Sequence, residues 1–232
     1  MNFAIFTRSD DVRLDFFLKR LKKRNLVPKI IFIADKKNEL PLIQTFKKLL
    51  KNESVNSNPI TLDTTNLNFT FVDSHTSQST LSILKSNDID YVFLCKTGLI
   101  PKKMLEGNIK YINTHPSILP LYRGRGSLEW AIFNGGPLGY TVHFIDENVD
   151  TGPIIFSKEV IPQKGESFFD YKKRLNLESV DSVCDILMKI EKKENINLIS
   201  QEKYKGIHFF RKPLPQEMNY INMMFINFNQ KN

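Results

Sequence analysis

Asn113 and His115 stand at the end of a predicted β-strand that begins at Lys110. Side chains two residues apart on a strand point to the same side, so this amide and this imidazole can face one small volume. Imidazole titrates near neutrality and can accept a proton from an attacking amine. A primary amide can donate a hydrogen bond to a carbonyl oxyanion, and losing such a donor typically costs about 3 kcal/mol. The pair therefore suits acyl transfer to an amine.

This chemistry also needs a carboxylate that orients the imidazole and stabilises its charged form. Asp150, followed by Thr-Gly-Pro, is the candidate, and Asp146 and Glu147 in the same turn are alternatives. An Asp in that setting is also a good turn former, and Asn-x-His is a common pattern. The combination of the three residues, rather than any one of them, carries the prediction. His143 alternates with apolar residues along another predicted strand, and we interpret it as structural.

The first half of the chain alternates strands and helices, which must position these residues. Strands are predicted at 3–7, 29–34, 69–72, 91–95 and 110–113, with amphipathic helices between several of them. The pattern predicts an α/β fold with a mostly parallel, Rossmann-like sheet and helices on both faces. Ligands bind at the carboxyl edge of such sheets. The segment 7–11 after the first strand has no glycine, which argues against a dinucleotide-binding fingerprint and a P-loop.

The second half has a different texture. Strands are predicted at 139–145 and 154–161, and a long helix at 168–191. From residue 198 the chain reads as irregular and aromatic, with a strand or hairpin at 203–211. We predict a catalytic domain over residues 1–194 and a short C-terminal extension over residues 195–232. Residues 52–68 are rich in Asn, Ser and Thr, which predicts a long loop.

Composition limits the function classes. The 232 residues are 41% hydrophobic and carry a net charge of +8. The lysines are scattered in pairs, which favours solvated helix faces over a nucleic-acid surface. Cys95 and Cys184 have no metal-binding spacing, so we expect no metal and free thiols in a reducing cytosol. Neither a signal peptide nor a membrane-spanning run is evident, so we expect a cytoplasmic protein without a membrane partner.

Five short elements follow one another between residues 113 and 155. They are Asn-Thr-His-Pro-Ser-Ile-Leu-Pro at 113–120, Tyr-Arg-Gly at 122–124, Trp-Ala-Ile at 130–132, Gly-Tyr-Thr-Val-His at 139–143 and Asp-Thr-Gly-Pro-Ile-Ile at 150–155. This ordered set resembles the 10-formyltetrahydrofolate-dependent formyltransferase family. The resemblance implies an N-formyltransferase that uses 10-formyltetrahydrofolate as formyl donor. It also implies catalytic roles for Asn113, His115 and Asp150.

The resemblance further implies where the folate binds. The loop that binds folate in this family precedes the Asn-x-His strand, and Leu99 and Ile100 fall at the matching place. An apolar slot with backbone hydrogen bonds suits a pterin ring. We therefore expect cofactor contacts from Leu99 and Ile100, and from Asp146 and Gly152 in the Asp146–Gly152 turn. The alternative is that Leu99 and Ile100 are ordinary core residues.

The family branches differ outside this core. Glycinamide-ribonucleotide enzymes share a Gly- and Ser-rich loop after the first strand, which this chain lacks, and tRNA enzymes carry a further C-terminal domain, for which residues 195–232 are too few. The remaining resemblance is to nucleotide-sugar N-formyltransferases. It implies a substrate such as a dTDP-4-amino-4,6-dideoxyhexose, used for surface polysaccharide such as lipopolysaccharide O-antigen.

Substrate contacts are expected from Tyr122, Arg123 and Arg125. The guanidinium of Arg125 could pair with a diphosphate, and the alternative is that it faces solvent. Two other functions stay open: formylation of methionyl-tRNA or another amine, and a non-catalytic folate- or nucleotide-binding module.

The aromatic residues after 198 bear on assembly. Exposed apolar patches often mark an interface, and two-fold dimers are the commonest oligomers. We therefore expect a homodimer in which this tail lies at or near the contact. The alternative is that the tail folds back over its own domain, with Phe209 and Phe210 in a surface groove.

Overall fold

The computed structural model describes residues 1–34 except 10 and 12, residues 67–204 and residues 209–231. The apolar spacing of residues 42–50 predicts an amphipathic helix, and this segment lies outside the described residues, as does most of the loop predicted at 52–68.

Nine strands and six α-helices occur in the described residues. The strands are β1 (Phe3–Arg8), β2 (Ile30–Ala34), β3 (Phe69–Val72), β4 (Tyr91–Leu94), β5 (Lys110–His115), β6 (Arg123–Gly124), β7 (Gly139–Phe144), β8 (Ile154–Glu159) and β9 (Phe209–Phe210). The helices are α1 (Arg13–Lys23), α2 (Gln78–Ser86), α3 (Lys102–Leu105), α4 (Ser127–Phe133), α5 (Phe168–Glu191) and α6 (Pro215–Lys231).

Seven strands form one sheet in the order β3-β2-β1-β4-β5-β7-β8. β1 runs parallel to β2 and β4, and β2 runs parallel to β3. β7 and β8 pair in antiparallel fashion at the end of the sheet, with a register irregularity between Val142 and His143. The prediction of a mostly parallel α/β sheet with helices is confirmed.

Two compact units divide the chain. The first contains Met1–Ile112 and Ile186–Glu194, and the second contains Asn113–Asp185 and Asn195–Asn232. The segment from residue 195 onward thus groups with the residues that follow Ile112. The predicted division into residues 1–194 and 195–232 remains a prediction.

In the first unit, β1 and β2 are apolar and almost entirely buried. Helix α1 covers them with Leu14, Phe17, Leu18 and Leu21, which recur at the three- and four-residue spacing of one helix face. Phe17 packs against Phe93 of β4, with ring centroids 4.6 Å apart. Each such fully buried side chain contributes about 1.5–3 kcal/mol of transfer free energy. The resulting core holds the strand ends in fixed positions.

In the second unit, residues 215–231 form helix α6, so the prediction of an irregular tail is wrong here. Pro215 starts the helix, a position it favours, and the Glu217 carboxylate accepts a hydrogen bond from the Leu214 N–H at 2.7 Å. Ile221 and Phe225, four residues apart, are completely buried. Phe225 packs against Phe168 and Tyr171 of α5, with ring centroids 5.4 Å apart in both cases.

Of the strand or hairpin predicted at 203–211, the described residues contain β9, which pairs in parallel with β6. A short 3-10 helix at Glu202–Tyr204 precedes it, and residues 205–208 lie outside the described part. Within the described ranges, every helix is too short or too polar to span a bilayer.

Candidate active site

Asn113 lies on β5 opposite His143, which β7 contributes. The Asn113 Nδ2 atom is 3.2 Å from His143 Nε2, and His143 Nδ1 is 2.9 Å from the Phe144 carbonyl oxygen. A carbonyl only accepts, so Nδ1 carries the proton of this imidazole and Nε2 accepts from the amide. An amide NH2 group has two hydrogens. His143 therefore fixes the orientation of Asn113 while one amide hydrogen remains for a ligand.

His143 is neutral at physiological pH. Complete burial lowers its pKa to about 4, and the nearby His115 lowers it as well, while the Asp150 carboxylate raises it. Burial acts in this direction because it disfavours the charged form of an imidazole. A neutral ring keeps Nε2 available as an acceptor. The position of His143 therefore supports a role in orienting Asn113, in addition to the structural role on the strand that the sequence indicates.

His115, the second residue of the predicted pair, is only 3% exposed. Its Nε2 donates to the Tyr122 carbonyl oxygen at 2.6 Å, and Ser117 Oγ donates to the same oxygen at 2.8 Å. The other ring nitrogen, Nδ1, faces Asp150 Oδ2 at 3.5 Å. Because Nε2 is committed to the backbone, Nδ1 is the nitrogen that can take up or release a proton.

The loop after β5 is held against β7 by Thr141. Its hydroxyl donates to the Ser117 carbonyl at 2.9 Å and accepts from the Leu119 N–H at 3.0 Å. All three residues are buried, and buried hydrogen-bonded groups of this kind restrict motion. The His115 ring is therefore presented by a rigid segment.

Asp150 lies between the two imidazoles. Its Oδ2 accepts a hydrogen bond from the Gly124 N–H at 2.8 Å, and its Oδ1 is 3.8 Å from His143 Nε2. The residue has a φ of 55°, in the left-handed region that costs a non-glycine residue about 1–2 kcal/mol. Backbone strain of this kind persists only where surrounding contacts hold it.

The alternative carboxylates have other positions. Asp146 Oδ1 accepts hydrogen bonds from Thr151 Oγ1 at 2.6 Å and from the Asn148 N–H at 3.1 Å, so it stabilises the turn itself. Glu147 is exposed. Of the three carboxylates weighed from the sequence, the structure brings Asp150 beside His115.

The residues expected to bind folate occupy two places. Leu99 and Ile100 line a cavity of about 220 Å³ in the first unit, together with Arg8, His75 and Lys96. Leu99 is 73% exposed, so the core alternative is wrong for this residue.

Asp146 and Gly152 lie in the turn of the second unit. A side chain at Gly152 would collide with the Phe144 carbonyl oxygen, so only glycine fits there. The cofactor roles of these residues remain predictions.

The three residues expected to bind substrate differ in exposure. Tyr122 is buried, and its ring packs against Phe210 with centroids 5.4 Å apart. Arg123 is 2% exposed, and its Nη2 donates to Gln201 Oε1 at 2.9 Å. Arg125 is exposed. Arg125 thus keeps the access that a substrate contact requires, whereas the position of Arg123 favours an internal role.

Sequence reasoning alone does not identify His143 and Gln201 as side chains near Asp150. For His143, the alternation with apolar neighbours indicates a position on a strand face and no contact with Asn113. For Gln201, the neighbouring sequence contains no signal.

Among the described residues, no group of three or more His, Cys, Asp or Glu side chains could hold a metal ion.

An α/β sheet with an amide, two imidazoles and a carboxylate gathered at strand ends fits enzymes that transfer acyl groups. A sequence model of the formyl transferase family matches residues 1–186. The chain therefore belongs to the formyl transferase family.

Two relatives indicate the range of this family. The methionyl-tRNA formyltransferase of Thermodesulfovibrio yellowstonii is 32% identical over 112 residues, which are 47% of this chain and 36% of that protein. The GDP-perosamine N-formyltransferase of Brucella melitensis is 32% identical over 96 residues, 40% of this chain and 37% of that protein. The matched region spans less than half the length of each relative.

Solved structures share the fold at low sequence identity. A sugar N-formyltransferase from a Shewanella species has a TM-score of 0.61 at 17% identity, covering 97% of this chain and 88% of that one. The formyltransferase PseJ from Anoxybacillus kamchatkensis has a TM-score of 0.53 at 18% identity, covering 98% and 94%. The latter was solved with UDP-4,6-dideoxy-4-formamido-L-AltNAc and tetrahydrofolate.

Proposed function

We propose that this chain is an N-formyltransferase that moves the formyl group of 10-formyltetrahydrofolate to the amine of a nucleotide-linked amino sugar. The observation that carries the proposal is the cluster of Asn113, His115 and Asp150, in which His115 Nδ1 is 3.5 Å from Asp150 Oδ2. Formyl transfer to an amine needs a hydrogen-bond donor for the oxyanion, a proton acceptor and a charge that stabilises the acceptor once protonated. The cluster contains one of each.

In the proposed reaction, the formyl donor is the folate, which carries the formyl group on one of its nitrogen atoms. The amine nitrogen of the acceptor forms a bond to this carbon, and the carbonyl oxygen becomes an oxyanion. The amide of Asn113, oriented by His143, donates a hydrogen bond to that oxygen. His115 accepts the proton that the amine loses, and Asp150 stabilises the resulting imidazolium. The carbon–nitrogen bond to the donor then breaks, and the proton goes to the nitrogen that leaves.

Leu99 and Ile100, with Asp146 and Gly152, are the residues proposed to bind the folate. An exposed leucine beside a cavity suits an apolar ring that enters from solvent. The same cavity is lined by Arg8 and Lys96. These two cationic side chains fit an anionic substrate group such as a phosphate. Arg125, which is exposed, is a further candidate for a diphosphate contact.

The proposed acceptor is a 4-amino-4,6-dideoxyhexose linked to a nucleotide, with dTDP as the preferred nucleotide. Its support is the resemblance described above, the similarity to a GDP-perosamine N-formyltransferase and the PseJ structure with a 4-formamido-4,6-dideoxy sugar nucleotide. On this proposal the product serves surface polysaccharide such as lipopolysaccharide O-antigen. The enzyme would act in the cytoplasm as a homodimer, without a metal, a nucleic-acid partner or a membrane partner.

Methionyl-tRNA is the second candidate acceptor, because several relatives at 32% identity are methionyl-tRNA formyltransferases. The net charge of +8 is compatible with it. Binding to tRNA through phosphates would weaken steeply with added salt, whereas binding of a sugar nucleotide would depend on salt much less.

The test is a formyl-transfer assay with the purified chain and 10-formyltetrahydrofolate. The acceptors are dTDP-, UDP- and GDP-linked 4-amino-4,6-dideoxyhexoses and methionyl-tRNA, and mass spectrometry detects the formylated product. We expect a formylated sugar nucleotide and no formylated tRNA. Turnover of methionyl-tRNA alone would contradict the acceptor proposal. Folate binding without turnover of any acceptor would favour the non-catalytic module.

A further inference from the structure

Arg123 is a charged residue in the interior of the second unit. It is among the largest fully buried side chains in the described part of the chain, with 2% of its surface exposed. Burying a charge is costly unless the group is paired and hydrogen-bonded. Its retention at such a position calls for a function that an apolar residue of similar size would not supply.

A chain of hydrogen bonds runs from Arg123 to the turn that carries Asp150. Arg123 Nη2 donates to Gln201 Oε1 at 2.9 Å, and Gln201 Nε2 donates to the Gly152 carbonyl oxygen at 2.6 Å. Gln201 is itself only 3% exposed. Gly152 stands two residues after Asp150, so the guanidinium reaches the turn through a single side chain.

The same turn is held at two further points. Gly124, which follows Arg123 on β6, donates its N–H to Asp150 Oδ2 at 2.8 Å. Ile154 and Ile199 exchange two backbone hydrogen bonds, both at 2.9 Å. The segment that carries Gln201 is therefore attached to the chain just beyond the Asp150 turn, and β6 is attached to the Asp150 side chain.

Electrostatics favour the same arrangement. Burial lowers the pKa of the Arg123 guanidinium, while the Asp150 and Asp146 carboxylates raise it. An arginine is not deprotonated in proteins, so the side chain remains a cation. Its attraction for the two carboxylates opposes their movement away from β6. This matters for Asp150, whose left-handed backbone needs external support.

We propose that Arg123 and Gln201 are positioning residues that hold the Asp150 carboxylate at His115, so that the segment after residue 195 forms part of the active site. The proposal rests on the catalytic role proposed for Asp150. In this proposal, neither Arg123 nor Gln201 touches the reacting atoms. Arg123 and Gln201 act through the position of the turn.

The principal variant is Gln201→Leu, which removes both hydrogen bonds and keeps the approximate side-chain size. We expect kcat to fall about 10- to 100-fold, the range that a displacement of about 1 Å produces in a catalytic group. The KM for the acceptor should change less than about twofold, whereas the KM for the folate should rise with the loss in kcat, because Asp146 and Gly152 of the displaced turn are proposed to bind it.

A second variant separates the two contacts. Gln201→Glu retains an acceptor for Arg123 but cannot donate to the Gly152 carbonyl while it is ionised. It should also lower kcat, since the link to the turn is broken, and it should fold even if Gln201→Leu does not. In the combination of Arg123→Met with Gln201→Leu, the effects on kcat should not add, because the two residues act as one unit.

Tyr171→Phe is the matched control. It removes another buried hydrogen bond of the second unit, from the Tyr171 hydroxyl to the Val160 carbonyl at 2.7 Å. This control should lower the melting temperature and leave kcat unchanged. A merely structural role for Gln201 would give the same result as Tyr171→Phe.

An independent readout needs no substrate. The imidazole ring resonances of His115 and His143, measured by NMR at neutral pH, report the position of the Asp150 carboxylate. Gln201→Leu and Gln201→Glu should shift both sets of resonances, whereas those of His75 in the first unit should stay unchanged. Wild-type imidazole resonances with wild-type kcat in the two Gln201 variants would overturn the proposal. If the wild-type chain formylates none of the acceptors, the proposed function fails, and the imidazole resonances still test the positioning.

Discussion

The neutral ring of His143 accepts a hydrogen bond from the Asn113 amide at 3.2 Å and donates from its other nitrogen to the Phe144 carbonyl at 2.9 Å. The orientation of the Asn113 amide, a proposed catalytic group, therefore depends on whether the buried His143 ring is protonated. If the ring took up a proton, Nε2 would become a donor facing another donor.

The first prediction concerns the stability that follows from the low pKa of His143. The pKa of His143, about 4, lies below the ordinary value of 6.5. Between pH 6.5 and 4, His143 therefore binds a proton in the unfolded state and not in the folded state. The free energy of unfolding should therefore decrease as pH falls from 6.5 toward 4, by about 3 kcal/mol at most from this residue. Urea unfolding across this range measures the slope. His143→Gln, which cannot titrate, should flatten it, and an unchanged slope would contradict the assignment.

The second prediction concerns His115 as the proton acceptor. His115→Ala should lower kcat for formyl transfer at least about 100-fold, the low end of general-base contributions. The variant should remain folded, since the Tyr122 carbonyl oxygen keeps its hydrogen bond from Ser117 Oγ when the imidazole is removed. Thermal unfolding of the purified variant checks this. Turnover near the wild-type value would remove His115 from the proposed role.

Asp150 and Asp146 allow a comparison of two carboxylates in one turn. Asp150→Asn should lower kcat, because the amide is similar in shape but has no charge to stabilise an imidazolium. Asparagine tolerates the left-handed backbone of residue 150, so the fold should persist. Asp146→Asn is the comparison: because Asp146 is proposed to bind the folate, this variant should mainly raise the KM for 10-formyltetrahydrofolate and leave kcat near the wild-type value. A larger fall in kcat from Asp146→Asn than from Asp150→Asn would show that the roles of the two carboxylates are reversed.

The fourth prediction concerns the folate. Ile100→Asp places a charge in the cavity that Leu99 also lines, and the KM for 10-formyltetrahydrofolate should rise more than the KM for the acceptor. Val27→Asp is the control, because Val27 is 61% exposed and is not among the residues that line this cavity. A fall in melting temperature with equal changes in both KM values would instead support a core role for Ile100.

The strand–helix alternation was sufficient to predict the fold, and the Asn-x-His spacing was sufficient to predict that Asn113 and His115 lie at the end of β5, because both signals are local. The choice between Asp150 and Asp146 was not local. It depends on a φ of 55° at Asp150 and on the Gly124 N–H, which the fold brings from another strand. Gln201 was missed for the same reason, since its partners Arg123 and Gly152 are distant in sequence.

Helix α6 was missed for a different reason. Its sequence contains four Asn residues between 215 and 231, and Asn is a weak helix former. The helix is instead stabilised by burial of Ile221 and Phe225, consistent with the rule that packing outweighs propensity in most protein helices. Pro215 and Glu217 were the start signals that the sequence contained.

The last prediction concerns assembly, and helix α6 now locates it. One face of the helix is buried through Ile221 and Phe225, while Tyr220, Met223 and Ile226 are each more than 50% exposed at three-residue spacing. An exposed apolar stripe of this kind favours contact with a second copy.

Wild-type protein should therefore sediment as a dimer at micromolar concentration. Met223→Glu combined with Ile226→Glu should sediment as a monomer that still unfolds in a single cooperative thermal transition. Phe169→Glu is the control, because Phe169 is 76% exposed on α5 rather than on this stripe. These point variants are preferable to truncation after Glu194, which would also remove Ile199 and Gln201 from the Asp150 turn. A monomeric wild-type protein would refute the dimer, and a dimer that survives both charges would place the interface elsewhere.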